Sequence, residues 1–376
     1  MEKGITIVIR RHLKSDLWYL VQHIDAFARR FRIHHRRNPP LLGYFHGDFD
    51  GLRFEPVHFE PTLEAPDRVP PGRLSLQFDS YARVLGCRHG LVLILDQAPV
   101  QLLVWDPVTG HQHRLPTHTE FDLGNFLING VVLRSAAGEV HFQVVLVVSD
   151  YEKRLLTCVY SSETGVWGTL ISTPVPSENS IVCSEPAVLV GDSLYWILAG
   201  STTFFNLLEF DLKTESLAMI QLPADKSCDA GGINSTDGHF TVMQAEGFTV
   251  QLWKRKHDFD GVASWGMERT IELDKLLSMD SEDSLTIQGY AEDNNLAFLW
   301  TGRSVFMVKL EPFQCEKLLD TNKWDRYYPF ETVYAAVYAT TSASVAKVPR
   351  FVFGCRDTGI GFFNVDSSIF HTSLFM

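Results

Sequence analysis

The sequence predicts an all-β fold, a β-propeller of about six four-stranded blades behind a short N-terminal helical segment. Three observations predict it. From about Leu74 onward the chain is a succession of short β-branched and aromatic runs, each bounded by Gly, Asp, Asn or Pro. A strand followed by a polar turn recurs at a spacing that suits one blade. A second turn dipeptide, feeding an apolar strand, precedes most copies of the first.

Before residue 45 the texture differs. Leu17, Leu20, Val21, Ile24, Phe27 and Phe31 recur mostly at three- and four-residue spacings, the periodicity of a helix face. The segment turns basic at Arg29–Arg37, and Asn38-Pro39-Pro40 ends it, because proline can neither donate a helical hydrogen bond nor continue the turn. Gly43 to Gly72, rich in Pro and Gly, reads as an extended lead-in with few regular elements.

The first repeated unit is Leu103-Val104-Trp105-Asp106-Pro107-Val108-Thr109-Gly110. It returns as Cys158-Val159-Tyr160-Ser161-Ser162-Glu163-Thr164-Gly165 and as Leu208-Glu209-Phe210-Asp211-Leu212-Lys213-Thr214-Glu215, with looser copies at Gln251–Lys254 and Met307–Leu310. Trp105, Tyr160, Phe210, Trp253 and Lys309 mark the register and stand about 43 to 56 residues apart, one blade each. Asp106 and Asp211 can accept turn N–H groups, while Gly110 and Gly165 supply positive φ, so each copy forces a reversal. The second unit appears at Gly86–Leu93, at Val190-Gly191-Asp192-Ser193-Leu194-Tyr195-Trp196, at Asp237–Phe240 and at Asp293–Leu299. Two hairpins make a blade, and radial stacking buries both of its faces. Strands near Leu74–Phe78 and Thr332–Tyr338 are candidates to close the ring, and 346–376 either completes a blade or forms a tail. The division is thus 1–45 helical, 46–345 propeller, 346–376 tail or closing strands.

Composition narrows the function classes. With 376 residues, 45% of them apolar, the chain can bury a large core, and a formal net charge of −12 opposes phosphate backbones and anionic lipid surfaces. Nucleic acid and membrane are therefore not the expected partners. No apolar run reaches the length of a membrane span, and a cytoplasmic or nuclear home is expected. The six cysteines lie far apart, form no CxxC pair, and read as buried thiols.

The quoted phrases also carry a resemblance. Phe27-Ala28-Arg29-Arg30-Phe31-Arg32 through Tyr44-Phe45, with Gly86-Cys87-Arg88-His89-Gly90-Leu91, Val104–Gly110 and Gly191–Trp196, resembles plant F-box proteins whose F-box is followed by a β-propeller-like associated domain. The resemblance runs from about Ala26 to Tyr338. It implies a substrate-recognition subunit of an SCF-type ubiquitin ligase, with a target protein on the propeller face. It further implies a Skp adaptor and cullin, held if Leu20, Ile24, Phe27 and Phe31 still present the docking face. The Leu-Pro-Asp-like opening and leucine-rich helices of that family are not found in Met1–Asp25. A stand-alone propeller scaffold is therefore the alternative reading, and a propeller enzyme a distant third.

No catalytic motif competes with a binding role. Gly191-Asp192-Ser193-Leu194 spells an esterase signature, but mid-chain between two apolar runs it reads as a hairpin turn. His111-Gln112-His113, with His118 nearby, lacks a carboxylate or thiolate set for a metal and reads as a solvated loop. His34-His35 reads as a basic helix end, and Asp280–Ser284 as a solvated acidic loop. No Walker loop, dinucleotide fingerprint or HExxH is present. The expectation is no enzyme activity, no cofactor and no metal, with Asp106, Gly110, Gly165, Gly191, Asp192 and Asp211 as structural turn residues.

Overall fold

The computed structural model describes residues 39–337 apart from short intervening segments, and two strands beyond them, 351–353 and 361–363. The helical segment predicted before residue 39, with Leu20, Ile24, Phe27 and Phe31, lies outside the described residues.

The described residues form a β-propeller. Five blades are antiparallel meanders of at least four strands. Blade I comprises Ala82–Arg88, Leu91–Gln97, Val100–Trp105 and Gln112–Arg114. Blade II spans 128–174, blade III 181–221, blade IV 230–272 and blade V 286–320. In blade II two short strands, Val166–Trp167 and Ile171–Pro174, share the outer edge of Arg154–Ser161. Every register mark taken from the sequence falls in the third strand of its blade: Trp105, Tyr160, Phe210, Trp253 and Lys309.

The ring is closed by a sixth sheet of three strands rather than four. Tyr328–Glu331 is its inner strand and pairs antiparallel with Leu41–His46, which pairs in turn with His58–Pro61. The predicted boundary at residue 45 therefore falls inside a strand, and Leu41–His46 is a buried blade element instead of part of a lead-in. Its sequence, Leu41-Leu42-Gly43-Tyr44-Phe45-His46, is too short and too aromatic to show periodicity beside a proline pair, which is why the pattern did not reveal it. Gly43 is required here, because a Cβ at that position would run into the Glu60 carbonyl and the Phe59 ring. Thr332–Tyr338 does not close the ring; its Ala335–Val337 pairs with Phe351–Phe353, which pairs with Gly361–Phe363.

Packing between blades follows the period-two rule of a strand. In blade I, Leu91, Leu93 and Leu95 face blade II and meet Val144, Leu146 and Val148. The alternating Val92 and Ile94 face the closing sheet and meet Phe45, Tyr328 and Phe330. Equivalent apolar layers join blades II and III around Trp196 and Phe210, III and IV around Ile197 and Trp253, and IV and V around Leu252 and Leu299. Phe298 and Val305 of blade V close the circle against Tyr44 and Tyr327. A strand sandwiched this way is apolar on both faces, so Leu91–Leu95 is a continuous buried run rather than an alternating one. Each such fully buried side chain contributes about 1.5–3 kcal/mol.

Of the three cysteines among the described residues, all free, Cys158 is buried, Cys87 half-buried and Cys315 exposed. The expectation of buried thiols thus fails at Cys315, which sits on the outermost strand of blade V, where one face meets solvent.

Candidate binding site on the turn face

In a four-stranded meander the turns joining strands 1–2 and 3–4 emerge at the same end. Both repeated sequence units therefore lie on one face of the ring, the turn face. In blade I, Asp106 Oδ1 accepts from the N–H groups of Val108 (3.1 Å) and Thr109 (3.2 Å), and the Gly110 N–H donates to the Asp106 carbonyl at 2.8 Å. Gly110 has φ 76°. Blade II repeats the exit with Gly165 at φ 74°, its N–H donating to the Ser161 carbonyl at 2.8 Å. In blade III, Asp211 Oδ1 accepts from Lys213 N–H (2.9 Å) and Thr214 N–H (2.7 Å). These bonds hold the Asp211 carboxyl below its usual range. Glu215 occupies the glycine position there, at φ 49°. Gly191 (φ 61°) and Asp192 form the 1–2 turn of blade III, with Lys213 Nζ 2.6 Å from the Asp192 carboxylate. The esterase-like letters are thus a hairpin, and Ser193 begins a strand.

Blade I and its neighbours surround a cavity of about 570 Å³ on this face. That volume lies in the range of small-ligand and side-chain pockets. Its walls are mainly apolar, from Leu91, Val104, Val108 and Phe142, and its polar groups come from four elements. Blade I supplies His89, Asp106, His111 and His113; blade II supplies Arg134, His141 and Ser162; blade V supplies Asp293; the closing sheet supplies Glu331, flanked by Pro39 and Thr332.

Arg134, at the end of the inner strand of blade II, holds the floor together. Its Nη2 donates to Asp106 Oδ2 at 3.1 Å and its Nε to the His89 carbonyl at 2.8 Å. His89 itself has φ 53°, a conformation most side chains avoid, and Gly90 follows at φ 72°. That pair of positive angles makes the tight 1–2 hairpin of blade I, and Gly90 admits no side chain because a Cβ would lie 2.5 Å from Thr332 Oγ1. His113 Nε2 is 3.0 Å from the Tyr160 hydroxyl. The histidines expected in a solvated loop therefore include two, His111 and His113, that line the cavity. Among the described residues no group of His, Cys, Asp and Glu could hold a metal ion.

The opposite end of the cavity is acidic. Arg88 makes a two-pronged ion pair with Glu292 across the ring and donates to the Ala187 carbonyl of blade III at 3.1 Å. Burial works against the charge on Arg88, yet the carboxylates of Glu292, Asp293 and Glu331 hold its pKa above the ordinary value. Those three acids share that one guanidinium. Glu331 Oε1 accepts from Asn294 N–H at 2.9 Å and from Asn294 Nδ2 at 2.6 Å, capping the 292–295 turn. Desolvation, reinforced by Asp293, pushes the Glu331 carboxyl up to about 8. Desolvation and Glu292 push Asp293 up to about 6 against the pull of Arg88.

The sequence marked Asp106 and the turn glycines but not Arg134, Glu331 or the cavity itself. The pairing of Arg134 with Asp106 spans blades, and no local pattern announces it.

The solved structures similar to the chain include the WD40 domain of SCAP from fission yeast, at 14% identity over 72% of this chain and 58% of that one, with a TM-score of 0.34. They also include the Dos1 propeller, at 11% identity over 84% of this chain and 74% of that one, TM-score 0.38. Among curated proteins, the F-box/kelch-repeat protein At3g23880 of Arabidopsis thaliana is 21% identical over 194 residues, 49% of this chain and 51% of that protein. The chain thus spans about half the length of the curated relative it matches. Over residues 83–338, blades I to V and the closing strand, the sequence matches the family described as F-box protein AT5G49610-like, beta-propeller, and the chain belongs to that family.

Proposed function

We propose that this chain is the target-recognition subunit of an SCF-type ubiquitin ligase, and that it captures its target protein on the turn face of the propeller. The observation that carries the reading is family membership over 83–338, joined to a cavity of about 570 Å³ framed by blade turns on one face. Loops on a rigid scaffold are where recognition residues concentrate, because they vary without disturbing the core. The role proposed is capture rather than chemistry, and Arg134, Asp106 and Glu331 around the cavity serve turn and inter-blade bonds. The proposed home is the cytoplasm or nucleus.

The test is affinity purification of the full chain with Skp adaptor and cullin as the readout. Co-purification of both, lost when Leu20, Ile24, Phe27 and Phe31 are all changed to Asp, supports the ligase role. Capture of a target without adaptor or cullin would replace it with a stand-alone propeller scaffold.

A further inference from the structure

We infer that the turn-face cavity is a receptor for one long cationic side chain, an arginine, presented by the partner protein. The inference rests on reading this face as the target-binding face and deepens it by naming the chemistry recognised. The cavity is amphipathic in the way an arginine is. Leu91, Val104, Val108 and Phe142 offer apolar contact to a methylene stem, whereas Asp293 and Glu331 offer carboxylates to a guanidinium.

Charge accounting separates this occupant from an acidic or phosphorylated one. Arg134, the fixed cation among the described cavity residues, is already bonded to Asp106 and to the His89 carbonyl. Arg88, behind the acidic end, is engaged two-pronged by Glu292. Asp293 and Glu331 are left to share that same guanidinium, so the acidic end carries three carboxylates to one cation. A bound guanidinium supplies the missing charge, and a bound phosphate adds to the excess. The raised pKa values of Asp293 and Glu331 agree with this, since a cation arriving between them restores both ionised forms. Binding should therefore release protons and tighten as pH rises from about 5.5 to 8.5. His89, His111, His113 and His141 also face the cavity.

The probes are three fluorescently labelled octapeptides in one Gly/Ser frame, with arginine, citrulline or glutamate at the centre, titrated against the full chain. Citrulline keeps the shape of arginine without its charge. Arginine should bind at least fivefold more tightly than citrulline, glutamate should bind most weakly, and the arginine advantage should grow between pH 5.5 and 8.5. Asp293→Asn should cut arginine affinity several-fold without lowering the melting temperature, and Asp293→Lys should abolish it. Equal or tighter binding of citrulline or glutamate overturns the proposal, as does an arginine peptide that fails to saturate. Adaptor co-purification reads a different part of the chain, so a failed ligase assignment leaves peptide selectivity intact, and lost selectivity leaves co-purification intact.

Discussion

The two mouths of the ring lie at opposite ends of the same inner strands, yet they balance charge differently. At the mouth away from the turns, Arg326 pairs with Glu185 and donates to the Ile287 carbonyl at 3.0 Å, while Arg83 donates to the Ile128 carbonyl at 2.8 Å. Asn129 Nδ2 reaches the Glu185 carbonyl at 2.8 Å. The guanidinium groups there are answered largely by backbone, and burial lowers the pKa of Arg83. At the turn mouth Arg88 is held above its ordinary value by a surplus of carboxylates. The lesson is one of division of labour. The balanced mouth ties blades I, II, III and V and the closing segment to one another, and the unbalanced mouth keeps charge in reserve for a partner.

The largest expected effect tests that contrast directly. Arg88→Met strips three carboxylates of their shared cation, and breaking a buried pair this way costs about 3–5 kcal/mol. Arg326→Met orphans one carboxylate, Glu185, with the Ile287 carbonyl, and should fall at the low end of the same range. Urea unfolding of both variants measures the difference. The Arg88 loss should also shrink at pH 5, where Asp293 and Glu331 hold protons, and a larger loss for Arg326 would reverse the assignment of the two mouths.

A smaller effect is pH-dependent. The Glu331 carboxyl titrates near 8 in the folded protein but near its ordinary 4.5 once unfolded. Between those values the unfolded chain has released a proton that the folded chain retains, so stability falls as pH rises through that window. Glu331→Gln keeps an acceptor for Asn294 and removes the titration. Its melting temperature should gain on wild type steadily from pH 5 to pH 8, by about 2–4 °C for each kcal/mol recovered. Parallel pH profiles for the two proteins would show that this carboxyl is not burdened as described.

The smallest effect separates the outer turns from the mouth. Glu215 stands at φ 49° where blades I and II have Gly110 and Gly165. Glu215→Gly should stabilise by about 0.5–1 kcal/mol, and Gly110→Ala, whose Cβ would meet nothing within 4 Å, should lose a similar amount through backbone strain alone. Neither should alter the arginine-peptide affinity, because neither touches the acidic end.

Much of the ring was legible in the sequence. The turn units at Asp106–Gly110, Ser161–Gly165 and Asp211–Glu215 recur because each blade must reverse its chain at the same place, and a local physical demand leaves a local signature. The closing sheet was not legible, since Leu41–His46 finds its partner Tyr328–Glu331 nearly the whole chain away and repeats no blade unit. The candidate site falls between these cases. Asp106 and the His89-Gly90 hairpin were visible as turn residues. Their convergence with Arg134, Asp293 and Glu331 was not, because cavity walls assembled from blades I, II and V and the closing sheet have no one-dimensional pattern.

The mixed origin of that closing sheet also governs when the molecule can become active. A nascent chain can form blades I to V one after another as each meander emerges, but Leu41–His46, paired on one edge with His58–Pro61, must wait for Tyr328–Glu331 on the other. Glu331 belongs to that last strand and to the cavity wall at once. A chain interrupted just before residue 331 therefore lacks both its ring closure and the Glu331 wall of its receptor, so a partner meets a complete site only once that last strand is in place.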